Sequence, residues 1–195
     1  MIKNDVYRYL ANGYSIKEDL TNGKSYFDSG DDNFTKYLYP RILALYYYIF
    51  DYDFYEDQSQ QIIKKGIHLN YLLIQSLIYY LSVIFFYYQT KNYFNNKIIF
   101  FILLFLCLEP TLLQYHSTFW SESIFFSIQL FLAGLILNNT QTKTRYFLIG
   151  VLLSLLALQR SSGFFYIIPV VIYLYFSVKS NLNKKILYIF FGFSL

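Results

Sequence analysis

A succession of apolar segments after residue 66 limits this chain to a bundle of membrane helices more than any other feature of the sequence. The first segment, 67–88, is long enough to cross the hydrocarbon core of a bilayer, which takes about 20 residues as a helix. Further apolar segments follow at 98–113, 123–137, 146–158, 164–178 and 186–195. We therefore expect an all-α polytopic membrane protein with about five to six transmembrane segments, some of them short and paired.

The charged residues divide the chain into two parts. Residues 1–60 hold six Lys/Arg and ten Asp/Glu, and residues 61–195 hold ten Lys/Arg and two Asp/Glu, so the two parts carry −4 and +8. This difference predicts an external, acidic, Tyr-rich loop over 1–66 and a transmembrane helical region over 67–195, incomplete at its C-terminus. In the loop we expect a short helix from Asp5 to Asn12 that stops at Gly13, and an interfacial helix over 37–50.

Basic residues in alternate loops predict the orientation of the segments. Three basic loops fall on one side, which the positive-inside rule assigns to the cytoplasm, and they carry Lys91 and Lys97, Lys143 and Arg145, and Lys179, Lys184 and Lys185. The external side then receives residues 1–66 and the turns at 109–122 and 159–163. We expect an integral membrane protein with its functional residues on the external side.

The turn between the second and third segments is unusually rich in reactive side chains. Glu109, His116, Ser121 and Glu122 lie within 14 residues, between two apolar runs. One interpretation is a polar hairpin that only joins two helices. The other is a site at the membrane face, because ionisable groups between membrane segments are costly to keep and commonly functional. Glu122 and His116 could orient an acceptor or hold a divalent ion.

A second turn places Arg160 between the short apolar segments 146–158 and 164–178. As a helix, the 13 residues of 146–158 span roughly 20 Å, less than the hydrocarbon thickness of about 30 Å. The turn is therefore expected to lie below the membrane surface, inside a protein-lined pocket, because irregular backbone is tolerated at that depth only there. A snorkelling anchor is the alternative for Arg160, but the following Gly163 and the flanking apolar runs favour a buried role.

Several function classes are excluded by what the sequence lacks. It has no zinc-ligand spacing, no phosphate-binding loop, no G-x-G-x-x-G and no nucleic-acid-binding module. Its single cysteine, Cys107, lies within an apolar run and is interpreted as a small core or lipid-facing residue.

Three short motifs resemble the GT-C superfamily of polytopic membrane glycosyltransferases, in particular the bacterial branch related to protein O-mannosyltransferases and aminoarabinose transferases. The first motif is Asp5-Val-Tyr-Arg-Tyr-Leu-Ala with Tyr39-Pro-Arg-Ile further on, which is similar to the first external loop of that family. The second is the turn from Glu109-Pro to Ser121-Glu122. The third is Leu-Gln-Arg160-Ser-Ser-Gly163, like the Leu-Thr-Arg-x-x-Gly turn of the family.

The resemblance implies a transferase that uses a polyprenyl-phosphate-linked sugar donor on the external face, with a lipid, glycan or protein acceptor and no nucleic acid. It implies that Asp5 is catalytic, as a general base or in a site with a divalent cation (Mg or Mn). Val6 stands where a second acid is often found. It further implies that Arg160, and less directly Arg41, contacts the donor phosphate. The family has a helix before this Asp and more spans afterwards, so the resemblance also implies an interior piece of a larger enzyme or a truncated reading frame.

The chemistry of glycosyl transfer fits the same residues. The reaction needs a base for the acceptor hydroxyl and cations for the leaving phosphate. Asp5 and Glu122 are accordingly the catalytic candidates, and Arg160, Arg41, His116 and Tyr9 are the substrate-binding candidates. A transporter or lipid flippase fragment and a non-catalytic membrane subunit are the alternatives. A transporter would carry charges along the interiors of its spans, whereas here the interiors are apolar and the acids gather on one face.

Overall fold

The computed structural model describes residues 2–25, 38–51, 65–116, 121–138, 142–177 and 182–194, and all of the regular structure in these ranges is helical. The expected all-α class is confirmed. The helices are α1 (Ile2–Thr21), α2 (Leu38–Ile49), α3 (Lys65–Thr90), α4 (Asn96–Leu108), α5 (Pro110–His116), α6 (Ser121–Leu137), α7 (Lys143–Gln159), α8 (Ile167–Ser177) and α9 (Leu182–Phe193), with a 3-10 helix at Ser161–Tyr166 between α7 and α8.

Helix α1 does not stop at Gly13, so the prediction of a short helix from Asp5 to Asn12 is wrong. The helix runs from Ile2 to Thr21, 20 residues in all, and passes through Gly13. A Cβ atom on Gly13 would lie 2.8 Å from the Cβ of Leu43 and 3.3 Å from the carbonyl oxygen of Pro40. The glycine is therefore needed for the close approach of α1 to α2, and it is tolerated inside a helix because packing outweighs its low helix propensity.

Helix α3 shows the reverse of the polarity expected for a helix on the surface of a soluble protein. Its outward stripe is apolar and includes Leu69, Leu73, Leu77, Leu81 and Ile84. Its buried side carries the polar groups of Tyr71, Gln75, Tyr79, Ser82 and Thr90. By length and composition, residues 69–90 could cross a membrane, as expected for 67–88; no other described helix meets both criteria, although 96–108, 121–137 and 161–176 are shorter apolar helices.

The predicted apolar segment 98–113 is broken at Glu109, and the structure divides it into α4 and α5. The backbone N–H of Glu109 donates to the carbonyl oxygen of Phe105 at 2.9 Å and closes α4. The Glu109 carboxylate accepts the backbone N–H of Leu112 at 2.7 Å and caps α5. Pro110 follows at the first position of α5, where a missing N–H costs nothing. Glu109 therefore fits the interpretation of a residue that joins two helices.

Helices α6 and α7 are antiparallel, and their connection divides the bundle into two ends. We call the end where α6 begins and α7 ends the turn end, and the end where α6 ends and α7 and α9 begin the basic end. Helix α7 has 17 residues and is about 25 Å long, so it is longer than the apolar segment of 13 residues predicted at 146–158. Helix α9 packs parallel to α7, with Gly150 against the backbone of Ile189 and Gly192 against that of Phe147.

Candidate functional site

An ion pair between Glu122 and Arg160 is the centre of the turn end. Glu122 lies in the first turn of α6, and Arg160 is the residue that caps the C-terminus of α7. The Arg160 Nη1 donates to the Glu122 Oε1 at 2.8 Å, and the side chains are 47% and 14% exposed, respectively. The expectation of a buried Arg160 is therefore wrong: the guanidinium lies at the surface of the bundle, half exposed. The structure does bring together two predicted residues that are 38 positions apart.

The turn after α7 is held by contacts that no side chain at position 163 would permit. The Arg160 backbone N–H donates to the Leu156 carbonyl oxygen at 3.1 Å, and the Gly163 N–H donates back to the Arg160 carbonyl oxygen at 2.8 Å. A Cβ atom on Gly163 would lie 2.0 Å from the Leu156 oxygen, inside any permitted contact distance. Gly163 is thus the residue that lets the chain fold back over α7 and present Arg160 toward α6.

Ser121 and Tyr9 extend the ion pair into a chain of polar groups. The Ser121 hydroxyl donates to the Glu122 Oε2 at 3.2 Å. The Tyr9 hydroxyl lies 3.2 Å from the Ser121 Oγ. Because the one Ser121 proton is directed to the carboxylate, the Tyr9 hydroxyl acts as the donor to Ser121. The predicted substrate-binding residue Tyr9 therefore reaches the same cluster from α1.

Gln159 is a functional candidate that sequence reasoning did not single out, although it directly precedes Arg160. Its side chain is buried, at 2% exposed, and its Nε2 donates to the Ser121 carbonyl oxygen at 2.9 Å. This bond ties the end of α7 to the start of α6. The Gln159 Oε1 is buried and, among the described residues, has no hydrogen-bond partner. An unsatisfied buried acceptor is uncommon in proteins, and it marks a position for a donor group such as a hydroxyl or a water.

Tyr9 packs against a buried tyrosine, which is in turn hydrogen-bonded to a buried glutamine. The rings of Tyr9 and Tyr39 meet edge to face, with centroids 5.0 Å apart. The Tyr39 hydroxyl donates to the Gln75 Oε1 at 3.1 Å, and the Gln75 Nε2 donates to the Tyr115 carbonyl oxygen at 3.2 Å. Burial raises the pKa of Tyr39 well above its ordinary value, so its hydroxyl remains a neutral donor. Gln75 was not predicted; its signal is an amide side chain within the first apolar segment, 67–88.

The other predicted residues are placed less completely. Asp5 lies on α1 one helical turn before Tyr9, which puts its backbone at the turn end, but its side chain lies outside the described residues. His116 ends α5, and its side chain also lies outside them, as does the stretch 117–120. Arg41 is partly exposed on α2, two residues after Tyr39. The roles of these three residues stay predictions.

The described residues contain no group of three or more His, Cys, Asp or Glu side chains arranged to hold a metal ion. Glu122 supplies the carboxylate of the described cluster, and its two oxygens are engaged by Arg160 and Ser121. Magnesium takes an octahedral set of oxygen ligands. The expectation of Mg or Mn stays a prediction, and no step below depends on a metal.

Comparison of the chain with family models, with curated proteins and with solved structures gave no match. The function is therefore inferred from the arrangement of the side chains at the turn end and from the distribution of apolar and charged surface.

Proposed function

We propose that this chain is part of a polytopic membrane glycosyltransferase that moves a sugar from a polyprenyl-phosphate-linked donor to an acceptor on the external face of a bacterial cytoplasmic membrane. The observation that carries the proposal is the half-exposed guanidinium of Arg160, oriented by Glu122 in a polar cluster at one end of an apolar bundle. The resemblance of the three sequence motifs points to the same activity.

Membrane embedding of several helices is supported by what the bundle exposes. Outward-facing large apolar side chains continue along α3, α4 and α8, for example Leu73, Phe101, Phe105 and Phe176. Exposed apolar surface on this scale is costly in water and is expected against lipid. Some polar groups within α3 are satisfied by the helix itself, as when the Thr90 hydroxyl donates to the Phe86 carbonyl oxygen at 2.7 Å.

Arg160 has the geometry required of a group that binds a lipid phosphate. One nitrogen, Nη1, is engaged by Glu122, and within the described part of the chain Nε and Nη2 make no hydrogen bond. A guanidinium can donate two parallel hydrogen bonds to a phosphate, which is why arginine recognises phosphate so often. The ion pair with Glu122 fixes the direction of the fork before the ligand arrives. A donor phosphate at headgroup level would meet its open edge.

The proposed reaction needs one proton transfer and one leaving group. The acceptor hydroxyl oxygen attacks the anomeric carbon of the sugar, and its proton passes to a carboxylate, which is Asp5 by the resemblance. The bond from the anomeric carbon to the phosphate oxygen breaks, and its electron pair stays on the polyprenyl phosphate, where Arg160 stabilises the added charge. The Tyr9 hydroxyl is proposed to bind a hydroxyl group of the sugar or acceptor, and Arg41 and His116 are further substrate-binding candidates.

The transport alternative receives less support from the interior of the bundle. A pathway for ions or headgroups would place charged groups along the spans. In the described helices, the charged residues near α6 and α7 lie at their ends: Glu122 and Arg160 at the turn end, and Lys143 and Arg145 at the basic end. The buried Ser82 and Ser127 donate to carbonyl oxygens of their own helices and do not line an open route.

The proposed role of Arg160 is tested by the binding of polyprenyl phosphate to the purified protein in detergent. Arg160→Ala removes charge-assisted hydrogen bonds and should weaken binding about 10- to 100-fold. Arg160→Lys keeps the charge but cannot donate two parallel hydrogen bonds, so its affinity should fall between those of the wild type and Arg160→Ala. The dissociation constants come from a titration followed by thermophoresis.

The matched control is Lys24→Ala. Lys24 forms another exposed ion pair, with its Nζ 2.7 Å from the Asp19 Oδ1, so this variant removes the same charge from a pair outside the cluster. It should leave the dissociation constant unchanged. Equal binding by wild type and Arg160→Ala would refute the phosphate role and leave Arg160 as an anchor for its turn.

A further inference from the structure

The basic end of the bundle carries positive charge without any neighbouring acid in its own part of the sequence. Residues 123–195 contain six Lys/Arg and no Asp or Glu. One of the six, Arg160, lies at the turn end, and Lys143, Arg145, Lys184 and Lys185 lie in the first turns of α7 and α9 at the basic end. Like charges held together at the end of an apolar bundle repel one another unless an anion from outside this region balances them.

Two of these lysines are held in place by contacts between α7 and α9, in which each lysine lies over a tyrosine ring of the other helix. The Nζ of Lys143 on α7 lies 5.8 Å from the centroid of the Tyr188 ring on α9. The Nζ of Lys185 on α9 lies 5.4 Å from the centroid of the Tyr146 ring on α7. Both distances are in the range of cation–π attraction. Each ammonium group is thus oriented over the partner helix, while Lys143 remains exposed and Lys185 partly exposed.

Arg145 gives this arrangement a fixed base. Its side chain is 5% exposed, and its Nε and Nη2 donate to the carbonyl oxygens of Leu135 and Ile136 at 2.6 and 2.7 Å. The guanidinium therefore caps the C-terminus of α6 and keeps its charge at the basic end. A ligand at this place would meet the ammonium groups of Lys143 and Lys185 directly and the arginine charge at longer range.

We propose that Lys143 and Lys185, across the α7–α9 contact, form a binding site for the phosphate of an anionic phospholipid headgroup. The proposal rests on the membrane embedding proposed above and is independent of glycosyl transfer. A phospholipid is favoured over a soluble phosphate because the site lies where apolar helices begin, with tyrosine rings at the same level. Tyrosine is enriched at the membrane interface, and clusters of basic residues between transmembrane helices bind anionic headgroups.

The test is a lipid titration of the purified protein in a neutral detergent, with the number of bound lipids counted by native mass spectrometry. The probes are phosphatidylglycerol, phosphatidylcholine and soluble glycerol 3-phosphate. Phosphatidylglycerol should bind the wild type tightest. Each of Lys143→Gln and Lys185→Gln should weaken its binding about fivefold, from the usual contribution of a lysine near an anionic surface. Lys143→Arg keeps the charge and should restore binding.

Lys91→Gln is the matched control. The Lys91 Nζ also lies over a tyrosine, 5.2 Å from the Tyr88 centroid, and belongs to the same end of the bundle, but both residues are near the C-terminus of α3. This variant should change phosphatidylglycerol binding less than twofold. An equal loss in Lys91→Gln would overturn the proposal in favour of nonspecific surface charge. Binding of glycerol 3-phosphate as tight as that of the lipid, or an equal loss of phosphatidylcholine, would overturn it as well.

Discussion

The two ends of the bundle each contain an arginine near an end of α7, and the two arginines are used in opposite ways. At the basic end, Arg145 is buried, and its donors are engaged by two backbone carbonyl oxygens. At the turn end, Arg160 is half exposed, and among the described residues one carboxylate engages it, through a single nitrogen. An arginine whose fork is bound to backbone has a structural role, whereas one whose fork is largely open can bind a ligand.

The two glutamates of the apolar region repeat this difference. Glu109 accepts hydrogen bonds from the Leu112 backbone N–H and the Thr111 side chain, so it caps the start of α5, as Arg145 caps the end of α6. Glu122 is bound to the side chains of Arg160 and Ser121. Both interpretations of the turn between the second and third apolar segments therefore apply, each to a different residue. Glu109 joins two helices, and Glu122 belongs to a polar cluster.

The largest expected effect separates the two arginines. Arg145→Met removes two hydrogen bonds from a charged donor, each worth about 1.5–3 kcal/mol, and leaves the last carbonyl oxygens of α6 without those donors. We expect a loss of about 3 kcal/mol in the free energy of unfolding. Arg160→Met removes an exposed ion pair and should cost less than about 1 kcal/mol. Thermal unfolding in detergent measures both.

Comparable destabilisation by Arg145→Met and Arg160→Met would contradict the assignment of a structural role to one and a binding role to the other. Measuring the binding of polyprenyl phosphate by the same variants strengthens the comparison. Arg160→Met should lose polyprenyl phosphate binding with its stability nearly unchanged, because no backbone group depends on its side chain in the described region.

A smaller effect is expected when the comparison is applied to two buried glutamines. Gln75 is satisfied as acceptor and donor, by Tyr39 and Tyr115, so Gln75→Met should cost about 1–3 kcal/mol by leaving the Tyr39 hydroxyl without its acceptor. Gln159→Met loses the bond to Ser121 but also removes an unsatisfied acceptor. These two contributions oppose each other, so the change should stay within about 1 kcal/mol. A cost equal to that of Gln75→Met would show that the Gln159 Oε1 is satisfied after all.

Much of the secondary structure could be predicted because it depends on local hydrophobic runs. The first apolar segment was expected at 67–88, and α3 covers Lys65–Thr90. The predictions were wrong or incomplete where the local structure depends on a residue far away in the sequence. Gly13 suggested a helix stop, but its missing side chain is needed for packing against Leu43, 30 positions away. The sequence placed Glu122 and Arg160 on one face, but their direct pairing depends on how α6 and α7 align, which no local pattern contains.

The smallest expected effect distinguishes the two glutamates by pH. Hydrogen bonds from the Thr111 side chain and from the Leu112 backbone N–H hold the pKa of Glu109 below its ordinary value of 4.5. A carboxylate whose pKa is depressed in the folded state stabilises that state above the pKa of the unfolded chain. This stabilisation is lost as the pH falls through the lower, folded pKa. Because Glu109 is partly exposed, the effect should be small and should weaken with salt.

Variants at Glu109 isolate this contribution. Glu109→Gln cannot titrate, so the stability advantage of the wild type over this variant should be present at neutral pH and should vanish as the pH falls below about 4.5. Glu109→Asp keeps a carboxylate at the position that caps α5, and aspartate is a favoured capping residue, so it should retain the pH dependence. The difference in unfolding temperature between the variants, measured from pH 7 downward, gives the result. A difference that does not change with pH would mean that the carboxylate of Glu109 is not what caps α5.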